Sequence, residues 1–172
     1  MSLENLLDTQ KIVFSVNHAL NCFDRLDWEG YKNSFAEGEI VYDYTSLNGG
    51  EPIRGSVDVF IDLVIQTLPG YKATLHQSTN PEIYIQGNSA TFYSNVIATH
   101  FLPNDLIKSE FWQAIGFYEI KLHKQSSEWK INTLKFTKTI VIGDCIGLRN
   151  LAKTLSHKTR NPRNFGGDTY TY

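Results

Sequence analysis

Two histidines, His76 and His100, fall in stretches that read as strands, and His100 shares a strand face with Ala90, Phe92, Val96 and Ala98. Strand side chains alternate between faces, so this row carries an imidazole into apolar surroundings, where an ionisable ring needs a partner. Asp24 closes the first helical stretch on the same stripe as Val13 and Leu20. A carboxylate is equally out of place there, and the helix dipole disfavours it. One acid and two histidines aimed at a single apolar interior point to acid/base chemistry on a small molecule. Groups so positioned contribute about 10²–10⁴-fold each.

Other residue types fit the same site. Tyr44 follows Ile40 and Tyr42 on one face of a short strand, so its ring turns inward and its hydroxyl can polarise a substrate oxygen; packing is the ordinary alternative. Trp112, Ala114, Gly116 and Tyr118 form one row of a later strand, either core or the wall of a pocket with Gly116 leaving room. The alternation around His76 (Thr74 to Ser78) is too weak to fix its facing. Two histidines and a carboxylate are also the ligand types of a mononuclear iron site, but nothing in their spacing demands a metal. The expectation is therefore no metal and no cofactor. Glycine-rich phosphate loops, nucleophile elbows and zinc spacings do not occur.

The elements that must position these residues follow from periodicity. Leu3 to Asp24 has apolar residues at helical spacing (Leu3, Leu6, Leu7, Val13, Phe14, Leu20, Phe23), which predicts one long amphipathic helix. Asp27 can cap a short second helix through Trp28, Tyr31 and Phe35, ending near Gly38. A strand over 39–45 follows, then the loop signal Asn48-Gly49-Gly50, and a third helix from Val57 to about Leu68 capped by Ser56. Strands are expected over 71–79, 82–86, 89–102, 111–124 and 128–142, with hairpin turns at Gly87-Asn88 and Gln125-Ser126-Ser127. A last helix runs from Ile146 to about Leu155. Its apolar stripe would either cap the pocket mouth or merely dock on the sheet. A tail rich in Arg, Asn, Gly and Tyr follows. Helices first and long antiparallel strands after them read as α+β, with the sheet curving to cover its apolar face. The space left between helices and sheet is the expected pocket.

The bulk numbers set the frame. A chain of 172 residues with 41% hydrophobic and 20% charged residues is an ordinary globular composition. Ten Phe, nine Tyr and three Trp suit a cavity lined with rings. A net charge of −2 without a basic run gives no nucleic-acid footprint. Cys22 and Cys145 are too few for a disulfide framework. Neither a signal-peptide pattern nor an apolar run of roughly 20 residues is present, so a cytoplasmic protein with no membrane partner is expected. Tyr93, Phe101 and Phe117 fall opposite the pocket rows, and an apolar outer face of that kind predicts a homo-oligomer, most simply a dimer.

The ordered set of Phe23-Asp24-x-x-Asp27-Trp28, Asp43-Tyr44-x-Ser46, His76, His100 and Trp129-Lys130-Ile131-x-x-Leu134-Lys135 resembles the nuclear transport factor 2-like superfamily, in its SnoaL-like and scytalone dehydratase-like branch. The resemblance runs from about residue 10 to residue 140. It implies a cone-shaped, strongly curved, mostly antiparallel sheet wrapped around N-terminal helices, with a domain over 1–142 and a C-terminal helix and tail over 143–172. It also implies metal-free dehydration of a hydroxyketone, or a related isomerase or cyclase reaction on a small hydrophobic carbonyl compound. By position, His76 and His100 resemble the catalytic histidines and Asp24 the acid that orients one of them. Tyr44 resembles one of two tyrosines that hold a water on the substrate carbonyl. The second of those tyrosines is Phe23 here, and Gly116 and Tyr118 stand where the family has serine and asparagine. These departures point away from scytalone itself and assign Phe23, Trp112 and Tyr118 to the substrate-binding wall. The superfamily also contains non-catalytic binding and dimerising modules, which is the alternative function.

Overall fold

In the computed structural model the described residues are 3–156 and Arg163. Helix α1 (Leu3–Arg25) leads into α2 (Trp28–Asn33), β1 (Ile40–Asp43), α3 (Thr45–Asn48), β2 (Ile53–Gly55) and α4 (Val57–Val64). A 3-10 turn (Leu68–Gly70) then opens the long strands β3 (Ala73–Gln86), β4 (Ser89–Phe101), β5 (Phe111–Gln125) and β6 (Glu128–Gly143), and α5 (Cys145–Leu155) closes the order. All six strands form one sheet in the order β2-β1-β6-β5-β4-β3, antiparallel except where β1 lies parallel to β6. The fold is α+β, with N-terminal helices on a mixed sheet that does not close into a barrel.

Helix α1 touches both β3 and β6, which are separated by two strands. A flat sheet would hold those strands about 14 Å apart at roughly 4.8 Å per step, so the sheet curls around the helix. The sheet also carries bulges. Register shifts fall between Ile115 and Gly116 and between Lys121 and Leu122 in the β5–β6 ladder, as expected of residues that turn a strand. At Gly116 an added Cβ would lie 2.0 Å from the Thr137 carbonyl oxygen, so only glycine lets the two backbones approach there.

Several elements depart from the sequence reading for physical reasons. The buried stripe of α1 is Ile12, Val16, Ala19 and Leu20, whereas Leu3, Leu6, Leu7 and Phe14 are exposed. The buried Asp8 was not anticipated; its carboxylate accepts from Lys124 Nζ (2.8 Å) and Trp129 Nε1 (3.1 Å), and the Lys124 hydrogen bond holds its pKa down. Asp27 caps α2 through the Gly30 N–H as expected. That helix stops at Asn33, because Phe35 leaves it to bridge Ile131. The side chain of Ser56 makes no cap bond, and α4 ends at Val64. The expected strands 71–79 and 82–86 are one strand, since Asn80, at φ 55°, and Pro81 form a bulge rather than a break. Pro81 is tolerated because β3 is an edge strand with no further ladder to supply. The expected tail after Lys158 lies, Arg163 apart, outside the described residues. No described helix is long and apolar enough to cross a membrane.

Candidate active site

Helix α1 ends with Leu26 at φ 58° and the Asp27 N–H bonded back to the Cys22 carbonyl, a left-handed helix stop. This stop leaves Phe23 and Asp24 in the last turn, aimed at the sheet. Opposite them, the register pairs His76 with Ala98 and His100 with Thr74, and His100 in turn with Trp112. The two histidines are thus diagonal neighbours on one face of adjacent strands. Their ring centroids lie 5.5 Å apart at 81°.

Asp24 holds His76 twice. Its Oδ1 lies 2.7 Å from His76 Nδ1, and its Oδ2 accepts the His76 backbone N–H at 2.7 Å. Burial works to raise the Asp24 pKa, but the hydrogen bonds and charge of His76, with help from the Thr74 hydroxyl, outweigh it and leave the pKa lowered. An ionised carboxylate only accepts, so Nδ1 carries a proton and donates it. That assigns the lone pair of a neutral His76 to Nε2. Phe23 packs against the imidazole at 5.2 Å and 89°, edge to face, which fixes the ring plane.

His100 behaves differently. It stacks on Trp112 at 4.0 Å and 6° and lies 5.1 Å from the Tyr71 ring. Burial, then the neighbouring His76 and Arg149, push its pKa well below the ordinary histidine value. Its Nδ1 has no hydrogen-bond partner of good geometry among the described residues. His100 is therefore a neutral imidazole. Trp112 is itself tied, its Nε1–H donating to the Tyr71 hydroxyl at 2.9 Å.

These rings enclose a cavity of about 130 Å³. Phe23, Tyr44, His76, His100, Trp112 and Tyr118 all line it, and Asp24 sits behind His76 rather than in the wall. Tyr44 is not a strand residue but the one preceding α3. Its hydroxyl interacts with that of Tyr118, and burial pushes its pKa up to about 12. Gly116 does not border the cavity; the need for glycine there comes from the β6 backbone. Among the described residues no group of three His, Cys, Asp or Glu side chains is placed to hold a metal ion.

Several contributors escaped sequence reasoning, Arg149, Tyr71 and Arg163 among them. Arg149 of α5 lines the cavity, with its guanidinium carbon 5.1 Å from the Trp112 ring. Tyr71 lines it too. Arg163 donates to the main-chain carbonyls of Asp24 (2.8 Å), Leu68 (2.8 Å) and Tyr71 (3.1 Å) and to Thr74 Oγ1 (2.8 Å), and its backbone N–H caps the Arg25 carbonyl. One residue thereby satisfies the orphan carbonyls at the end of α1 and braces the turn that carries Asp24. Its nearest partner in sequence is 89 residues away, so no local pattern announces it.

A family model, the SnoaL-like domain, matches residues 4–135. A search of curated proteins found no sequence match. Among solved structures, the Kfla4162 protein of Kribbella flavida superposes with a TM-score of 0.76 at 18% identity, covering 87% of this chain and 99% of that one. A provisionally named scytalone dehydratase from Novosphingobium aromaticivorans gives 0.68 at 16% identity, covering 98% and 100%. The hexachlorocyclohexane dehydrochlorinase LinA-type3 of Novosphingobium barchaimii gives 0.66 at 15% identity, covering 81% and 92%. At such identities these likenesses speak for the fold, the cone of the nuclear transport factor 2-like proteins. The sequence match over 4–135 goes further, and by it the chain belongs to the SnoaL-like domain family.

Proposed function

We propose that the cavity is the active site of a cofactor-independent acid/base enzyme of the dehydratase, isomerase or cyclase type, acting on a small hydrophobic carbonyl compound. The observation that carries this reading is the two-point grip of Asp24 on His76, 2.7 Å at each contact, at the edge of a ring-lined cavity. A buried carboxylate that fixes one imidazole tautomer is what a general base requires. Solved structures of this fold named provisionally as a scytalone dehydratase and outright as a dehydrochlorinase are consistent with elimination chemistry.

In the proposed reaction His76 Nε2 takes the proton α to the carbonyl, and the C–H electron pair moves into the enolate. The hydroxyls of Tyr44 and Tyr118 hydrogen-bond the enolate oxygen. Tyr118, from β5, supplies the second hydroxyl where Phe23 has none. As the carbonyl re-forms, the β C–O bond breaks and the His76 imidazolium returns its proton to the departing hydroxyl, giving an enone and water. His100, neutral through burial, donates a hydrogen bond without acting as a cationic acid. Asp24 stays ionised throughout and orients His76.

The volume of about 130 Å³ matches one six-membered ring, since an apolar cavity of about 150 Å³ takes up benzene. The test substrate is therefore 3-hydroxycyclohexanone, with its loss of water followed by ultraviolet absorption and α-deuterium exchange in D₂O followed by NMR. Elimination or exchange that His76→Ala abolishes is the expected result. Neither reaction with this compound or with larger β-hydroxyketones would leave a ligand-binding module without chemistry. We further infer that a second copy of the chain covers the outer face of the sheet, where Tyr93, Phe101 and Phe117 are 40%, 37% and 53% exposed.

A further inference from the structure

Among the described residues Arg149 is the single permanently charged side chain lining the cavity. The guanidinium lies over Trp112, and one of its nitrogens donates to Asn48 Oδ1 at 2.9 Å. Asn48 is neutral. No carboxylate among the described residues lines the cavity or forms an ion pair with Arg149. Asp144, the acid at the start of the same helix, has Oδ1 engaged by the Gly147 N–H. A guanidinium has five N–H donors in a planar fork suited to a two-oxygen anion. Here the Trp112 stack and the Asn48 bond hold that fork in place and leave donors uncommitted. The rest of the wall is rings, aliphatic side chains, hydroxyls and one amide, together with two imidazoles, one of them kept neutral by burial.

We propose that Arg149 is a ligand-binding residue that selects compounds carrying an anionic oxygen group, a carboxylate above all, on a single apolar ring. Trp112 links the two ends of the site, with Arg149 5.1 Å from its ring and His100 stacked on it, and His76 5.5 Å from His100. A ligand held by its carboxylate at Arg149 extends its ring into the cavity toward the histidines. The inference rests on the reading of the cavity as a small-molecule site, and it narrows the substrate class from carbonyl compounds in general to ring-bearing keto or hydroxy acids.

The probes are benzoate and benzamide, which are close in shape and differ in charge. Each is titrated into the full-length protein while the tryptophan indole N–H resonances are followed, with Trp112 assigned through Trp112→Phe. Benzoate is expected to bind about tenfold more tightly than benzamide, the rough worth of one charge-assisted hydrogen bond at a partly exposed site. Arg149→Gln should remove the difference and leave benzamide affinity unchanged. Asn48→Asp, which keeps the arginine but sets a carboxylate against it, should remove the preference as well. Equal affinities for the two probes in the wild-type protein, or a preference that survives both substitutions, would overturn the inference while leaving the cavity a ligand site. If neither probe moves the Trp112 resonance, the inference and the small-molecule reading fall together. The chain's net charge of −2 works against nonspecific attraction of benzoate, so a preference for the anion has to come from a local cation.

Discussion

Replacing Asp24 by asparagine keeps the side chain's size while exchanging one acceptor oxygen for an amide that donates. The wild-type carboxylate accepts from His76 at both oxygens, so the amide would turn a donor toward an N–H. We expect a loss of about 1–3 kcal/mol in urea denaturation, the range for a buried polar group left unpaired. The ¹⁵N shifts of His76 should show that protonation at Nδ1 is no longer enforced. His100 makes a second prediction, in pH. Its folded pKa lies well below the ordinary value, whereas the unfolded residue titrates near about 6.5. Below that pH the unfolded chain binds a proton that the folded chain refuses, so stability falls as the solution is acidified. The slope contributed is at most about 1.4 kcal/mol per pH unit. His100→Phe, which retains a ring against Trp112, should flatten the stability profile between about pH 5 and 6.5 by most of that slope. Asp24 acts lower down, where its lowered pKa contributes stability that is fully present above about 3.9 and is lost as the pH falls through the folded value. At this scale the sequence was informative wherever a residue broke its own pattern. A carboxylate on an apolar stripe and an imidazole on an apolar strand row both stand out. Arg149 and Arg163 do not, because an arginine on a short helix or in a polar tail looks like any solvated charge.

The elements hold the site by close backbone approach as much as by side-chain packing. A Cβ at Gly116 would meet the Thr137 carbonyl oxygen at 2.0 Å, and one at Gly70 would meet the Ala152 carbonyl oxygen of α5 at 1.9 Å. Gly116→Ala should therefore cost about 1–3 kcal/mol, typical of overpacking, read as a lower midpoint in urea with an unchanged slope. Alanine at Gly87, where nothing lies within 4 Å, offers a comparison in which only the left-handed φ of 58° is strained. Long strands were legible from their alternation, and Asp27 as a cap from its type and place. The bulge at Asn80-Pro81 was misread as a break because its sequence signal is that of a turn. Whether the chain turns or bulges there is decided by β4, which pairs with both sides of the irregularity. The α1 stripe was misassigned at its start, where Leu3, Leu6 and Leu7 look like core positions but are exposed.

At the scale of the whole molecule, the outer face of the sheet carries cross-strand apolar rows. Ile97 pairs with Ile115 and that with Ile140, and Phe101 pairs with Phe111. Phe117 adds an exposed ring nearby, at 53%. Sedimentation at micromolar concentration is expected to show a dimer, and Phe117→Lys to shift it toward monomer without lowering the melting temperature of the monomer. A wild-type monomer under the same conditions would end the inference of a paired sheet face. The α+β class and the helix-lined interior follow from the order of periodic segments, but the position of β1 does not. Residues 40–43 are too few to show which strand they will join.

That position has a consequence for how the chain assembles. β1 finds its parallel partner only in β6, where Val41 pairs with Thr133 and Asp43 with Lys135. The β3–β4–β5–β6 meander, by contrast, is built from neighbours in sequence joined by short connections. Loop-closure entropy and contact order place such local hairpins early and the remote parallel pairing late. During synthesis β1 can pair with β2 early, and α1 can meet β3, but β1 has no parallel neighbour until β6 has been made. A nascent chain halted before residue 133 should therefore remain protease-sensitive around residues 40–43, and one extended past residue 143 should become resistant there.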